Sequence, residues 1–264
     1  MVEPALGVAF FWLAFAGTHI GLSTRRTRAA LVSRWGEWGF VGIFSLIAAV
    51  TFAALIRFYA QHGLDGAAGP ALGRAHEMLR VSLLAVAGAG LVLALASLAS
   101  YPTSPYALGS TSAREPRGLA RVSRHPFFAG VALFGAAHAL LATRLAGVVM
   151  FGTLALYCVV GALHQDRRYV AQRGTAHAHF VAATSFLPFA AILTGRQRLV
   201  WRELPLAVLL GSAAVIYALR LAHESILAAN GSRVIAVVLG GAALATLAGW
   251  YGARRAATRA ATAS

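Results

Sequence analysis

The sequence contains no lysine and a single cysteine, Cys158. Disulfides within the chain are therefore excluded. Charge of any kind is scarce: 12% of the 264 residues are charged and 59% are hydrophobic, where a soluble domain carries about a quarter charged residues. The formal net charge of +15 resembles that of a nucleic-acid binder, but its distribution excludes that class. The arginines lie in short clusters between apolar runs. Guanidinium keeps its charge in any environment, and its apolar stem lets it reach out of a bilayer edge. The start, "MVEP", has no basic segment, and Arg25 and Arg26 follow the first apolar run. A cleavable signal is not expected.

The apolar runs are long enough to cross a membrane, which takes about 20 residues. Spans are expected near 4–22, 38–60, 77–99, 126–142, 146–164, 204–222 and 233–251. The stretch 184–194, "TSFLPFAAILT", is too short and reads as interfacial or re-entrant. Most of the 23 arginines fall in 22–37, 100–125, 165–203 and the tail. This bias alternates in register with seven crossings. The fold class expected is all-α, a polytopic helical membrane protein of about seven spans. Its N-terminus lies outside, its C-terminus in the cytoplasm, and its setting is the bacterial inner membrane. The Ala-rich tail over 254–264 reads as disordered.

Histidine inside a bilayer needs a partner for its nitrogens, so each such residue is a functional candidate. His125 and His138 cannot share a metal from one straight helix, because they stand about 20 Å apart along it and point about 140° apart. Pro126 suits the first position of a helix, which places His125 at its start. Arg124 and the exposed amides there suit an anion. His138 lies deep in the fourth span, with no evident partner nearby in sequence. Trp12, Phe15 and His19 share one helix face, a stripe that serves packing or grips a flat macrocycle. His76 precedes Glu77, a carboxylate able to orient it. His164 and Asp166 close the fifth span, and His177 and His179 read as part of a solvated polar loop. Two histidines from separate helices with aromatic neighbours suit haem iron better than structural zinc.

"THIGLSTRRTRAALVSRWGEWGF", "SYPTSPYAL", "RVSRHPFFAGVALFGAAHALLATRLAG", "GALHQDRR" and "TSFLPFAAILTGRQRL" resemble, in order and spacing, the NnrU family of membrane proteins. That family includes the plant 15-cis-zeta-carotene isomerase. The resemblance covers roughly residues 8–200 and implies a membrane domain over 1–200, with two additional spans over 201–253. It implies a haem b with histidine ligands, carried over to His19 and His138. It also implies Arg124, His125, Asp166, Arg167 and Arg168 as cofactor-binding residues. Both axial ligands must sit at one depth. By the expected topology His19 is about 5 Å and His138 about 18 Å from the cytoplasmic ends of their spans, so His76 stands as the substitute ligand.

The function implied is redox-linked chemistry: cis-trans isomerisation of a lipophilic substrate, or support of nitrite and nitric oxide reduction. The partners implied are membrane lipid and a redox partner, with no nucleic acid. The isomerase branch has a cysteine where this chain has Gly135, and two histidines where it has Tyr157 and Cys158. A second reading is a non-catalytic accessory subunit of a denitrification oxidoreductase. A third comes from "RHPFFAG", which is similar to the isoprenylcysteine-type membrane methyltransferases. Those enzymes carry a paired glutamate further on, where this chain has "DRR".

Overall fold

A computed structural model describes residues 3–100, 104, 106 and 115–244. The tail over 254–264, Arg114 and the end of the span expected at 233–251 lie outside the described residues. The described chain is helical: α1 (Pro4–Ser23), α2 (Arg25–His62), α3 (Leu72–Ala75), α4 (Glu77–Ser100), α5 (Leu119–Val122), α6 (Pro126–Leu141), α7 (Leu145–Arg173), α8 (Thr175–Ala183), α9 (Ala190–Leu193), α10 (Leu206–Leu221) and α11 (His223–Ala228). A further apolar helix covers Ser232–Leu244.

Six of the seven expected spans fall on apolar helices, and the described part of the seventh lies on Ser232–Leu244. Four helices are long and apolar enough to cross a membrane: Pro4–Ser23, Arg26–His62, Glu77–Ala99 and Leu145–Arg173. The helices Pro126–Leu141, Leu206–Leu221 and Ser232–Leu244 are shorter. At 16 residues, α6 rises about 24 Å, less than the hydrocarbon core of about 30 Å.

The chain divides into two compact units, residues 1–9 with 63–222 and residues 10–62 with 223–264. In the first, α6 packs between α4 and α7, and α10 packs on α4. Lipid tails are as apolar as leucine, so close backbone approach, rather than hydrophobic burial, holds such helices together. The contact face of α6 is accordingly small: Ala129, Gly130, Ala132, Gly135, Ala137 and Ala139 are buried. A methyl group built on Gly90 would stand 2.5 Å from the Gly130 carbonyl oxygen, and one on Gly135 2.7 Å from that of Phe151. The segment before α4 is tied to the end of α6 by an isolated bridge between Ala68 and Arg144 and by the Ala71 N–H donating to Ala142 O at 3.0 Å.

In the second unit aromatic rings join the two long helices. Phe11 meets Phe58 at 5.1 Å between ring centroids, Phe15 meets Phe52 at 5.8 Å, and His19 meets Phe44 at 4.7 Å. These pairs descend one helix as they climb the other, so α1 and α2 run antiparallel. Gly36 interrupts α2 at φ 73, ψ 169, a backbone region open almost only to glycine. The Arg-rich helical segment before it is thereby set off from the apolar length after it.

Candidate functional site

The first unit gathers its polar side chains at the end where α4 stops and α6 starts. Two loop segments are laced together there. Ser123 Oγ donates to Phe186 O at 2.7 Å, the Arg124 N–H donates to Ser185 O at 2.8 Å, and the Phe189 N–H donates to Val122 O at 2.9 Å. The apolar stretch 184–194 therefore caps this end of the unit, with only α9 helical in it, and it fixes the backbone of "RVSRHP". His125 is the N-cap of α6 and Pro126 follows it, as the sequence implies.

Asp166, buried on α7, is the hub. Its Oδ1 accepts from Tyr106 OH at 2.5 Å and from His125 Nε2 at 2.7 Å, and its Oδ2 accepts from Arg124 Nε at 2.7 Å. A buried carboxylate is tolerated only when opposite charge and hydrogen bonds meet it, and here three side chains do. Burial pushes the His125 imidazole below its usual range, and its hydrogen bond to Asp166 only partly offsets this. Burial also pushes the Tyr106 phenol well up, helped by its bond to Asp166. The Tyr106 ring lies 4.1 Å from that of His125 and 5.3 Å from that of His177.

His177 is fully buried in α8, and neither ring nitrogen has a hydrogen-bond partner among the described residues. Its imidazole is pushed down by burial and by the Arg173 guanidinium. The solvated loop expected around residues 177 and 179 is thus corrected: the segment is helical, with His177 inside and His179 exposed. The polar character of "HAH" hid the helix, because Phe180 and Tyr169, rather than water, surround His177.

A second ion pair flanks the hub. Arg121 grips Glu203 through Nε at 2.8 Å and a second nitrogen at 3.2 Å, and the Gly118 N–H donates to the same carboxylate at 2.9 Å. These donors hold the Glu203 carboxyl down to about 2. Between this pair and the hub lies a cavity of about 880 Å³, with His125, Arg124, Arg117, Phe127 and Leu98 in its walls.

The expected site residues fall in several places. Arg124, His125 and Asp166 come together. Arg167 and Arg168 are exposed on α7 and take no part in the hydrogen bonds of Asp166. His138 has a partner that sequence reading did not supply: its Nδ1 bonds Phe134 O, one turn earlier, at 3.1 Å. Its ring lies 4.1 Å from that of Phe134 and 5.0 Å from that of Phe151. His76 is exposed at the start of α4, at the end of the unit where α6 stops, so His76 and His138 share that end. Glu77 pairs with Arg80 at 2.6 Å rather than orienting His76. His19, in the second unit, meets the Phe15 ring at 5.5 Å as well as that of Phe44, both at a tilt. Tyr106 was missed altogether, because 60 residues separate it from Asp166. Only its place in the quoted "SYPTSPYAL" pointed that way.

An all-α architecture with apolar, membrane-length helices and a polar cluster at one helix end defines a helical membrane protein. The family described as "NnrU protein" matches residues 7–254, and the chain belongs to that family. The match runs past residue 200 through the C-terminal helices. Among curated proteins, the chain is similar to the 15-cis-zeta-carotene isomerase, chloroplastic, of Zea mays, with 26% identity over 197 residues, 71% of this chain and 50% of that protein. The protein of the same description in Arabidopsis thaliana is 26% identical over 206 residues, 74% of this chain and 52% of its own length. The chain thus spans about half the length of these relatives. No solved structure gives a significant match.

Proposed function

We propose that this chain is an integral membrane haem b protein with redox-linked chemistry on a lipophilic substrate. The reaction class is the cis-trans isomerisation that the relatives' description names. In this reading the chain crosses the bacterial inner membrane seven times with its N-terminus outside. The observation that carries the proposal is the state of His138. A neutral imidazole whose Nδ1–H is held by a carbonyl carries its lone pair on Nε2, the tautomer that ligates iron. His138 meets that condition through Phe134 O, and Phe134 and Phe151 give it apolar ring surfaces. Among the described residues there is no group of three or more His, Cys, Asp or Glu able to hold a metal ion. An iron already held by a porphyrin needs only one or two axial residues.

Haem b, when bound, supplies one-electron chemistry at its iron. His138 would hold it, with His76, which shares an end of the unit with His138, as a candidate second ligand; the motif resemblance names His19 for that role. Arg124, His125, Tyr106 and Asp166 keep a fixed set of protons and charges at the other end of α6. Phe15 and Phe44 hold the His19 ring.

A reduced-minus-oxidised absorption spectrum of protein purified from haem-supplied cells tests this. A Soret band that shifts on reduction, lost in His138→Ala and in one of His19→Ala or His76→Ala, is expected. A flat trace in the wild type overturns the proposal and leaves the accessory-subunit reading.

A further inference from the structure

The cavity beside His125 is built to receive a ligand, and its walls state which kind. His125 donates its Nε2–H to Asp166, so the lone pair of this ring sits on Nδ1. His125 is 4% exposed and forms part of the cavity wall. The described residues give Nδ1 no hydrogen bond. Glu115, Arg117 and Gln165 stand elsewhere on the wall, while the polar groups closest to the hub and to Glu203 are already engaged. Tyr106 OH and Arg124 Nε donate to Asp166, Ser97 Oγ donates to Ala94 O, and Glu203 accepts from Arg121 and Gly118. A neutral imidazole that has spent its N–H can only accept. The occupant must therefore bring a donor to Nδ1.

Its body is also defined. Leu98 and Phe127 line the cavity while being 54% and 43% exposed, and they stand on the ends of two apolar helices. One exposed side of the cavity is thus apolar, at the ends of α4 and α6, while the exposed Glu115 and Arg117 form another. Pro126, Phe127 and Phe128 add flat faces beside His125, which suit an aromatic ring. A volume of about 880 Å³ lies within the usual range of small-molecule sites, about 300–1,000 Å³. It takes a ring with part of an alkyl tail.

We propose that this cavity binds the hydroxylated aromatic head of a lipophilic phenol or hydroquinone, whose O–H donates to His125 Nδ1. The ring lies against Phe127 and Phe128, and the tail leaves past Leu98. Asp166 and Tyr106 position His125 and do not touch the ligand hydroxyl. Should the head ionise, its O–H bond breaks and an Nδ1–H bond forms. The imidazolium then faces the Asp166 carboxylate, and no electrons change hands. The site stands on the cavity alone and holds with or without haem at His138.

Equilibrium dialysis of the full chain in detergent, corrected against empty micelles, tests the assignment with three probes: 4-nonylphenol, its methyl ether 4-nonylanisole, and decylubiquinol. The phenol is expected to bind about tenfold more tightly than the ether, the size of one hydrogen bond to an otherwise unmet acceptor. Binding of decylubiquinol tighter than that of the phenol identifies a hydroquinone as the occupant, and the reverse order identifies a monophenol; either upholds the site. In His125→Phe the phenol-to-ether ratio falls to about one. In Phe127→Ala all three probes weaken together while the ratio stays. Equal affinity for the phenol and its ether in the wild-type protein, a comparison that needs no variant to fold, overturns the proposal.

Discussion

His125 Nε2 lies 2.7 Å from Asp166 Oδ1, across 41 residues of sequence. Through this contact the start of α6 is held to α7 at the polar end of the first unit, and Arg124 and Tyr106 close on the same carboxylate. Removing the hub leaves a largely buried guanidinium with no counter-charge. Asp166→Ala is expected to cost about 3–5 kcal/mol, as broken buried ion pairs do. Tyr106→Phe, which removes one hydrogen bond to a charged acceptor, is expected to cost about 1.5–3 kcal/mol. Unfolding in detergent, followed for both variants, should preserve that order.

The pH dependence has two windows of one sign. His125 and His177 are held below the usual histidine value of 6.5 by burial. Below that pH the unfolded chain takes up protons that the folded chain refuses, so stability falls as pH falls. Glu203 is held down to about 2 against a usual 4.5. Its carboxylate stays charged in the fold while the unfolded chain protonates, so its contribution is present above 4.5 and is lost between 4.5 and about 2. A pH series of melting midpoints should show both declines. Glu203→Gln should weaken the lower decline and leave the upper one unchanged.

Helix contact between α4 and α6 depends on missing side chains. A methyl at position 90 meets the Gly130 carbonyl oxygen at 2.5 Å, and one at position 130 meets backbone of Gly90 and Ala94. Backbone cannot step aside as a flexible side chain can. Gly90→Ala and Gly130→Ala should each lower stability by about 1–3 kcal/mol, the usual cost of overpacking. Gly88→Ala, whose methyl meets nothing within 4 Å, is the control and should not lower the melting midpoint, since alanine is the better helix former.

Gly36 separates backbone strain from crowding. Nothing lies within 4 Å of a methyl added there, yet its φ of 73 and ψ of 169 suit glycine alone. Gly36→Ala should cost about 1–3 kcal/mol through the backbone only. Gly42→Ala has equally open space and sits within the regular helix after Gly36, so it should cost nothing. A drop of equal size in both variants would contradict the explanation.

The sequence made the apolar helices visible, because a run of leucine, alanine and valine bounded by arginine has few other fates. The spans expected at 77–99 and 126–142 became Glu77–Ser100 and Pro126–Leu141. Pro126 correctly announced the start of α6. Pairings across long stretches of chain were not visible. Nothing in "SYPTSPYAL" states that Tyr106 meets Asp166, since hydrogen-bond partners are chosen by packing. The bond from His138 to Phe134 O was hidden for a different reason. Backbone carbonyls carry no residue identity, so a search for polar side chains near position 138 passes over them. His177 was misjudged because composition marks a segment as polar but says nothing of which way its side chains turn.

The Asp166 hub also bears on how the protein is made. A ribosome delivers Tyr106, Arg124 and His125 to the membrane well before Asp166 exists. Until α7 emerges, that cation and that imidazole must stay hydrated among lipid headgroups, and the start of α6 has nothing to hold it in place. The last turns of α7 therefore act as the latch of biosynthesis, and a chain halted before residue 166 keeps the preceding helices yet leaves their polar end open to water.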